Sequence, residues 1–360
     1  MRLTLRTQSN FLIIPLAIAL AALLAIALKP YFIVNSDIQG ADEDLRGTLA
    51  ILDFTEGIME QSRECADLLV TGAQDDLREI RDGGANARRA LSIWRDVPKN
   101  RPDEPELVQR IDRELTLLTA STEQLIALTK LGRHAEATAL LHGEIRERSA
   151  AMLRLADQAL SDRREDIGRH VARISGGIRY SGFLKAGTLA SRIDDLDAHI
   201  TEVVESAALR NAIEAETWAG WRLYLTKDHS LDGEIALQRN RAEGALENWR
   251  MAVASDGGES GRANAKADLR MIEDISGDYQ RLRTNGLEVH RLMERGSDEA
   301  ARALLIRSMQ FEHSPAGGKI EAYIDRQSGV ARRNLVSLRA EVLRVRRVVG
   351  LTGMLILLAG

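Results

Sequence analysis

Proline is scarce in this 360-residue chain, with six residues, and aromatic side chains make up only 4%. The remainder is rich in Ala, Leu, Arg and Glu, a bias that disfavours sheets and favours long helices. There is a single cysteine, Cys65, so an intramolecular disulfide is excluded. Cys65 reads as a small buried hydrophobe, the alternatives being a reactive thiol or an intermolecular bridge. An excess of one charge is missing too. The 49 basic residues stand against 53 acidic ones, a net charge of −4, which implies no polyanionic partner. Acids and bases interleave along the same segments, as on solvated helix faces. No basic–aromatic patch points to nucleic acid.

Signatures of chemistry are lacking as well. There is no Walker-type phosphate loop and no dinucleotide fingerprint. The seven histidines, His134, His142, His170, His199, His229, His290 and His313, are scattered without zinc-site spacing. Chain order alone suggests no Ser/His/Asp set. The sequence therefore nominates no catalytic residue, no metal ligand and no cofactor.

What the chain does have begins with Phe11–Leu28, a run with no charge and no polar side chain. At about 1.5 Å per helical residue it covers most of a hydrocarbon core of roughly 30 Å. Arg2 and Arg6 precede it and only Lys29 follows closely, which places the amino terminus in the cytoplasm and sends the chain outward. A cleaved signal peptide is the rival reading. The run is long for one, and Lys29-Pro30-Tyr31-Phe32 does not suit a peptidase that prefers small residues. A second apolar run, Val348–Gly360, is too short for a full span and reads as the start of a membrane helix, or else as an interfacial tail. Arg339, Arg344, Arg346 and Arg347 just before it oppose this topology, although long translocated domains largely escape the charge rule.

Between the runs, apolar residues recur at three- and four-residue steps. Leu45, Leu49, Leu52, Met59, Ala66 and Leu69 mark a helix from Tyr31 to Val70 that ends at Thr71-Gly72. Shorter helices follow over about 75–97, with Gly83-Gly84 weakening its middle, and 106–131, closed by Gly132; a longer one covers about 134–175. Gly176-Gly177, Gly182 and Gly187 mark a break. The pattern then restarts over about 189–226, 231–254 and 262–294. A last helix begins near Ser297, with Pro315 and Gly317-Gly318 expected to kink or break it.

The two halves read as copies. Leu68–Thr71 matches Leu223–Thr226, and Ala90–Arg95 matches Ala245–Arg250 at the same offset. Gly132–Leu141, GRHAEATALL, matches Gly296–Leu305, GSDEAARALL, at a slightly longer one. The offset changes in a turn, where insertions are tolerated. Chance similarity of Ala/Leu-rich helices is the alternative, but the matches keep their order on equivalent helices. The expected fold is all-α: two tandem, duplicated four-helix-bundle modules with long antiparallel helices, flanked by transmembrane helices. The expected organisation is a cytoplasmic stub over 1–10, a membrane helix over 11–29, modules over 31–178 and 186–347, and the start of a second membrane helix over 348–360.

Polar residues on the inward stripes are the candidate ligand site. Glu56 and Arg63 interrupt the first long helix; Arg210, Asn211 and Glu214 interrupt the fifth, with Trp218 and Trp221 placed to wall a site. A buried charge must be paired or face a polar ligand, and bundle cores build sites from such facing side chains. The plain alternative is that these charges pair with one another and the tryptophans are core.

His142-Gly143-Glu144-Ile145-Arg146 faintly resembles the phospho-acceptor box of sensor kinases, but Gly143 intervenes and Glu147-Arg148 replace its Thr-Pro. The layout is the more informative likeness. Membrane helices bracketing a helical outer domain, with the Gly132 and Gly296 turns, resemble the sensor domains of bacterial chemoreceptors and sensor histidine kinases. The doubled arrangement is similar to helical bimodular sensors, among them the periplasmic part of the trimethylamine-oxide sensor kinase. The resemblance implies the periplasmic sensing region of an inner-membrane receptor, residues about 30–347 lying outside. Its implied partners are the bilayer, a second copy in a homodimer, and a small molecule or a periplasmic binding protein. A chemoreceptor with the same plan, or a membrane-anchored helical scaffold that senses nothing, are the competing expectations.

Overall fold

The computed structural model describes residues 5–72, 76–97, 101–180, 186–255, 259–308 and 315–359, and among them there is no strand. In chain order the helices are α1 (Leu5–Thr71), α2 (Asp76–Asp96), α3 (Glu104–Lys130), α4 (His134–Leu140), α5 (Arg146–Tyr180), α6 (Ala186–Thr226), α7 (Leu231–Ser255), α8 (Glu259–Glu294), α9 (Asp298–Ser308) and α10 (Pro315–Ala359). The fold is all-α, and its helices fall close to the expected ones. Helix α1 runs without interruption through Pro30. Two differences are informative. The fourth expected helix is divided by a π-helical segment, Leu141–Ile145, between α4 and α5. The expected break at Pro315 is a helix start, where the missing N–H would have no partner in any case.

Helix ends follow the glycines. Gly132 takes φ +72 and Gly296 φ +70. Past α3, Gly132 N donates to Thr129 O and Arg133 N to Leu128 O, at 3.0 and 2.9 Å. Past α8, Gly296 N donates to Met293 O and Ser297 N to Leu292 O, at 3.0 and 2.8 Å. These are two matching Schellman turns. Each is followed at equal distance by a fully buried alanine and leucine, Ala137 and Leu141 in one case, Ala301 and Leu305 in the other.

The chain divides into two units. One comprises Met1–Asp42, Asp166–Asp197 and Val330–Gly360. Within it, Val34, Ile38 and Ala41, Ile167, Val171 and Ile174, and Ala331, Leu335, Leu338 and Val342 are buried in stripes of three- and four-residue steps. Asp37 Oδ1 lies 2.9 Å from His170 Nδ1 and 3.1 Å from Arg173 Nε. Gly40 leaves room for the His170 ring, which a Cβ there would overlap.

The other unit comprises Glu43–Glu165 and Ala198–Gly329. It holds two apolar cores. One gathers α1–α5 around Phe54 and Trp94, joined by Trp221, Val289, Ala301 and Leu305. The second gathers α6, α7, α8 and α10 around Trp249, Tyr279 and Tyr323, with Leu52 from α1. A buried polar network crosses the first. Trp94 Nε1 donates to Glu104 Oε1 at 2.7 Å, and Arg163 donates to Glu104 at 2.6 Å and to Asp44 at 3.0 Å. Such a cluster is tolerated because each charge meets an opposite one.

The side chains of Phe11–Leu28 and of Val348–Gly360 lie largely outside the described residues. Among the described residues, no helix is long and apolar enough to cross a membrane.

Candidate functional site

Four helices of the larger unit each turn one stripe toward a common cleft of about 1060 Å³. Helix α1 contributes Thr48, Leu52, Thr55, Met59 and Ser62; α6 contributes Val204, Ala208, Asn211, Ala215, Trp218 and Arg222. Both sets repeat at alternating steps of four and three, the period that keeps side chains on one helix face. Apart from Glu205, Asn211 and Arg222, these two helices form a floor of apolar and small residues. Helices α5 and α7 bring charge, including Arg146, Arg154, Asp157 and Arg164 from α5 and Glu234 and Arg241 from α7. At about 1.5 Å per residue the α1 stripe is roughly 20 Å long.

Arg222 is the most buried charge lining this cleft, its side chain only 2% exposed. Its Nη1 donates to both oxygens of Glu234, at 2.9 and 3.2 Å. Burial, aided by the Arg146 guanidinium, holds it below the ordinary arginine range in spite of Glu234. Its Nε has no hydrogen-bond partner among the described residues, and neither has Asn211 Oδ1. Arg146 is half-buried at the first position of α5, directly after the π-helical segment. Such a segment shifts the following side chains around the helix and often marks a functional position. His142, inside the segment, feels the same positive region. Burial lowers it from 6.5 to about 4, with Arg222 and Arg146 adding to the effect and Asp228 opposing it.

Farther along the cleft lie further charges of both signs. Arg164 pairs with Glu205 at 2.8 Å. Asp157 lines the cleft; desolvation raises its carboxyl, and Arg241 offsets only part of the rise. At the Arg146–Arg222 end Glu234 pairs with Arg222, and Arg146 and Glu147 line the wall side by side.

Of the residues nominated from sequence, Asn211 and Trp218 line this cleft. Glu56, Arg210 and Glu214 come together instead: Arg210 Nη1 is 3.0 Å from Glu56 and its Nε 3.9 Å from Glu214. Burial opposes the Arg210 charge, but Glu214, Glu56, Glu321 and Asp53 outweigh it and raise its pKa. Arg63 is bound by the adjacent Glu64, at 2.6 Å. Burial nonetheless pushes Glu64 up to about 8, against the pull of Arg63. Arg63 and Glu214 share a cavity of about 10 Å³ with Met59 and Thr217, about the size of one water. Trp221 is fully buried in the first core. Arg146 and Arg222 were not nominated. Arg222 could have been found by continuing the step from Asn211 through Trp218 one turn further. Arg146 depends on the π-helical segment, for which the sequence carries no recognisable sign.

Comparison with known proteins gives no match to a family model, a curated protein or a solved structure.

Proposed function

We propose that the chain is the sensing region of a bacterial inner-membrane signal-transduction receptor, of the sensor histidine kinase type. In this reading Phe11–Leu28 is a membrane helix, Val348 opens a second, and the residues between form a periplasmic domain of two duplicated four-helix modules. The matching turns at Gly132 and Gly296 and the equivalent fully buried Trp94 and Trp249 support the duplication.

One observation carries the sensory reading: the cleft, whose volume suits an organic solute. The Arg222 Nε left without a partner, with Arg146 nearby, favours an acidic group, and the apolar side chains of the lining favour a carbon skeleton beyond it. Occupancy would then bias two arrangements of the long helices, by no more than the ligand's differential affinity for them. The test introduces single cysteines near the inner ends of the two apolar runs and follows disulfide cross-linking in membranes. The expected result is a cross-linking pattern that changes with an acidic, partly apolar solute and no longer changes in Arg146→Gln. A pattern insensitive to every solute and to periplasmic extract would sink the sensory reading.

A non-sensing scaffold is favoured by a different observation. Arg210 forms an ion pair with Glu56 at 3.0 Å and lies 3.9 Å from Glu214, the kind of internal charge pairing such a scaffold requires. It leaves the orphaned Arg222 Nε and Asn211 Oδ1 in the cleft unexplained.

A further inference from the structure

Two histidines far apart in the chain meet at the surface of the larger unit. His229 lies in the turn between α6 and α7, and His290 in the last turns of α8. Their ring centroids are 5.6 Å apart with perpendicular planes. Asp232, in the first turn of α7, places Oδ2 3.7 Å from His229 Nδ1. One ligand atom from each of His229, Asp232 and His290 lies within 4.8 Å of the others. We propose that these three residues form a binding site for a divalent transition-metal ion of the zinc class.

The chemistry is selective. Two imidazoles and one carboxylate suit zinc, nickel or copper, whereas magnesium and calcium take oxygen ligands. With bonds of about 2.0–2.1 Å to zinc, tetrahedral ligand atoms stand about 3.4 Å apart. The present spacings close to that value by rotation of exposed side chains, His229 being 62% and Asp232 51% exposed. Side chains in solvent change rotamer at little cost. Glu294 Oε1 is 3.3 Å from His290 Nε2, placed to supply a fourth oxygen or to orient the ring as an outer hydrogen-bond acceptor.

The backbone that carries His229 is fixed by several bonds. Asp228 Oδ1 accepts from Ser230 N at 3.0 Å, and Asp232 N donates to His229 O at 3.2 Å. Lys227 Nζ binds Asp298 at 2.7 Å, joining this turn to the start of α9. A bound ion would add a second tie, from the same turn to the end of α8. The other cluster of potential ligands, Glu64, Asp76 and Glu79, is all carboxylate and carries no such argument.

The full-length chain, in detergent and stripped with a chelator, is titrated with Zn²⁺ against a chromophoric competitor, with Mg²⁺ as the contrasting ion. Co²⁺ absorption reports the ligand set independently. One equivalent of Zn²⁺ with micromolar affinity is expected, unchanged by excess Mg²⁺. His229→Ala and His290→Ala should each weaken it at least tenfold and remove the Co²⁺ signal, while His134→Ala leaves both intact. All three positions are solvent-accessible, and circular dichroism checks that each variant keeps its helices. Zn²⁺ binding of equal strength in His229→Ala and His290→Ala overturns the proposal, as does the absence of binding by the parent chain at millimolar Zn²⁺.

Discussion

His142 sits where a positive charge is unwelcome, partly buried in the π-helical segment and within the field of Arg222 and Arg146. With its pKa lowered from 6.5 to about 4, it is neutral in the folded chain between those values, whereas the unfolded chain binds a proton there. The unfolded state thus holds more protons across this window. The stability that this group contributes is fully present above about pH 6.5 and is lost as pH falls toward 4. Partial exposure screens the effect, leaving on the order of 1–2 kcal/mol. His142→Gln should remove that part of the acid sensitivity. Unfolding of the full chain in detergent, followed by tryptophan emission at pH 7 and pH 4.5, measures it. An equal loss of stability on acidification in parent and variant would show that His142 does not titrate in this way. Interior charge elsewhere is of another kind. Arg163, between Asp44 and Glu104, and Arg210, between Glu56 and Glu214, are held by oppositely charged neighbours, and they brace the interior instead of waiting for a ligand.

Among the elements, the crossing of α1 and α2 depends on two glycines. A Cβ on Gly57 would stand 2.6 Å from Ala87 N and 2.8 Å from Gly83 O; one on Gly83 would stand 2.9 Å from Gln61 N. Here backbone meets backbone and no side chain can give way, so Gly57→Ala must spread the helices. The expected cost is about 1–3 kcal/mol. At Gly168 on α5 nothing lies within 4 Å of the added Cβ. Gly168→Ala should instead stabilise by up to about 1 kcal/mol, the helix-propensity gain. Thermal unfolding of both variants tests the pair, and a stabilised Gly57→Ala would contradict the close approach. Gly83 also shows where sequence reasoning succeeds and where it stops. Helix extents were legible because apolar periodicity and glycine C-caps are local signals: Gly72, Gly132 and Gly296 end their helices as expected. The use of Gly83 as a contact point was not legible, since its partner on α1 lies well away in the chain. The same holds for the cleft. The inward stripe of α6 pointed to Asn211 and Trp218, but pairing removed Glu56, Arg210 and Glu214 from it, and only the fold brings Arg146 beside Arg222. His229 and His290 were read as scattered for the same reason: their proximity belongs to the tertiary fold.

For the whole molecule, the question with most leverage is which side of a membrane the helical region occupies. The proposed outward orientation rests on Arg2 and Arg6 ahead of Phe11–Leu28, while Arg339, Arg344, Arg346 and Arg347 pull the other way. A labelling experiment separates the two. Cys65 is fully buried and burial pushes its thiol up to about 12, so the parent chain should stay unlabelled by a membrane-impermeant maleimide until it is denatured. Against that blank background, Asn240→Cys, exposed on α7, should label in intact cells whose outer membrane has been permeabilised. Thr7→Cys should label only after lysis. If Asn240→Cys also requires lysis, the helical region faces the cytoplasm, and the cleft loses the periplasmic solutes on which the sensory proposal depends. Recovery of the chain in the soluble fraction would remove the anchor itself. In either case the cleft and the histidine cluster keep their geometry, because both are built from α1 and α5–α8 within the larger unit, and neither depends on the apolar runs.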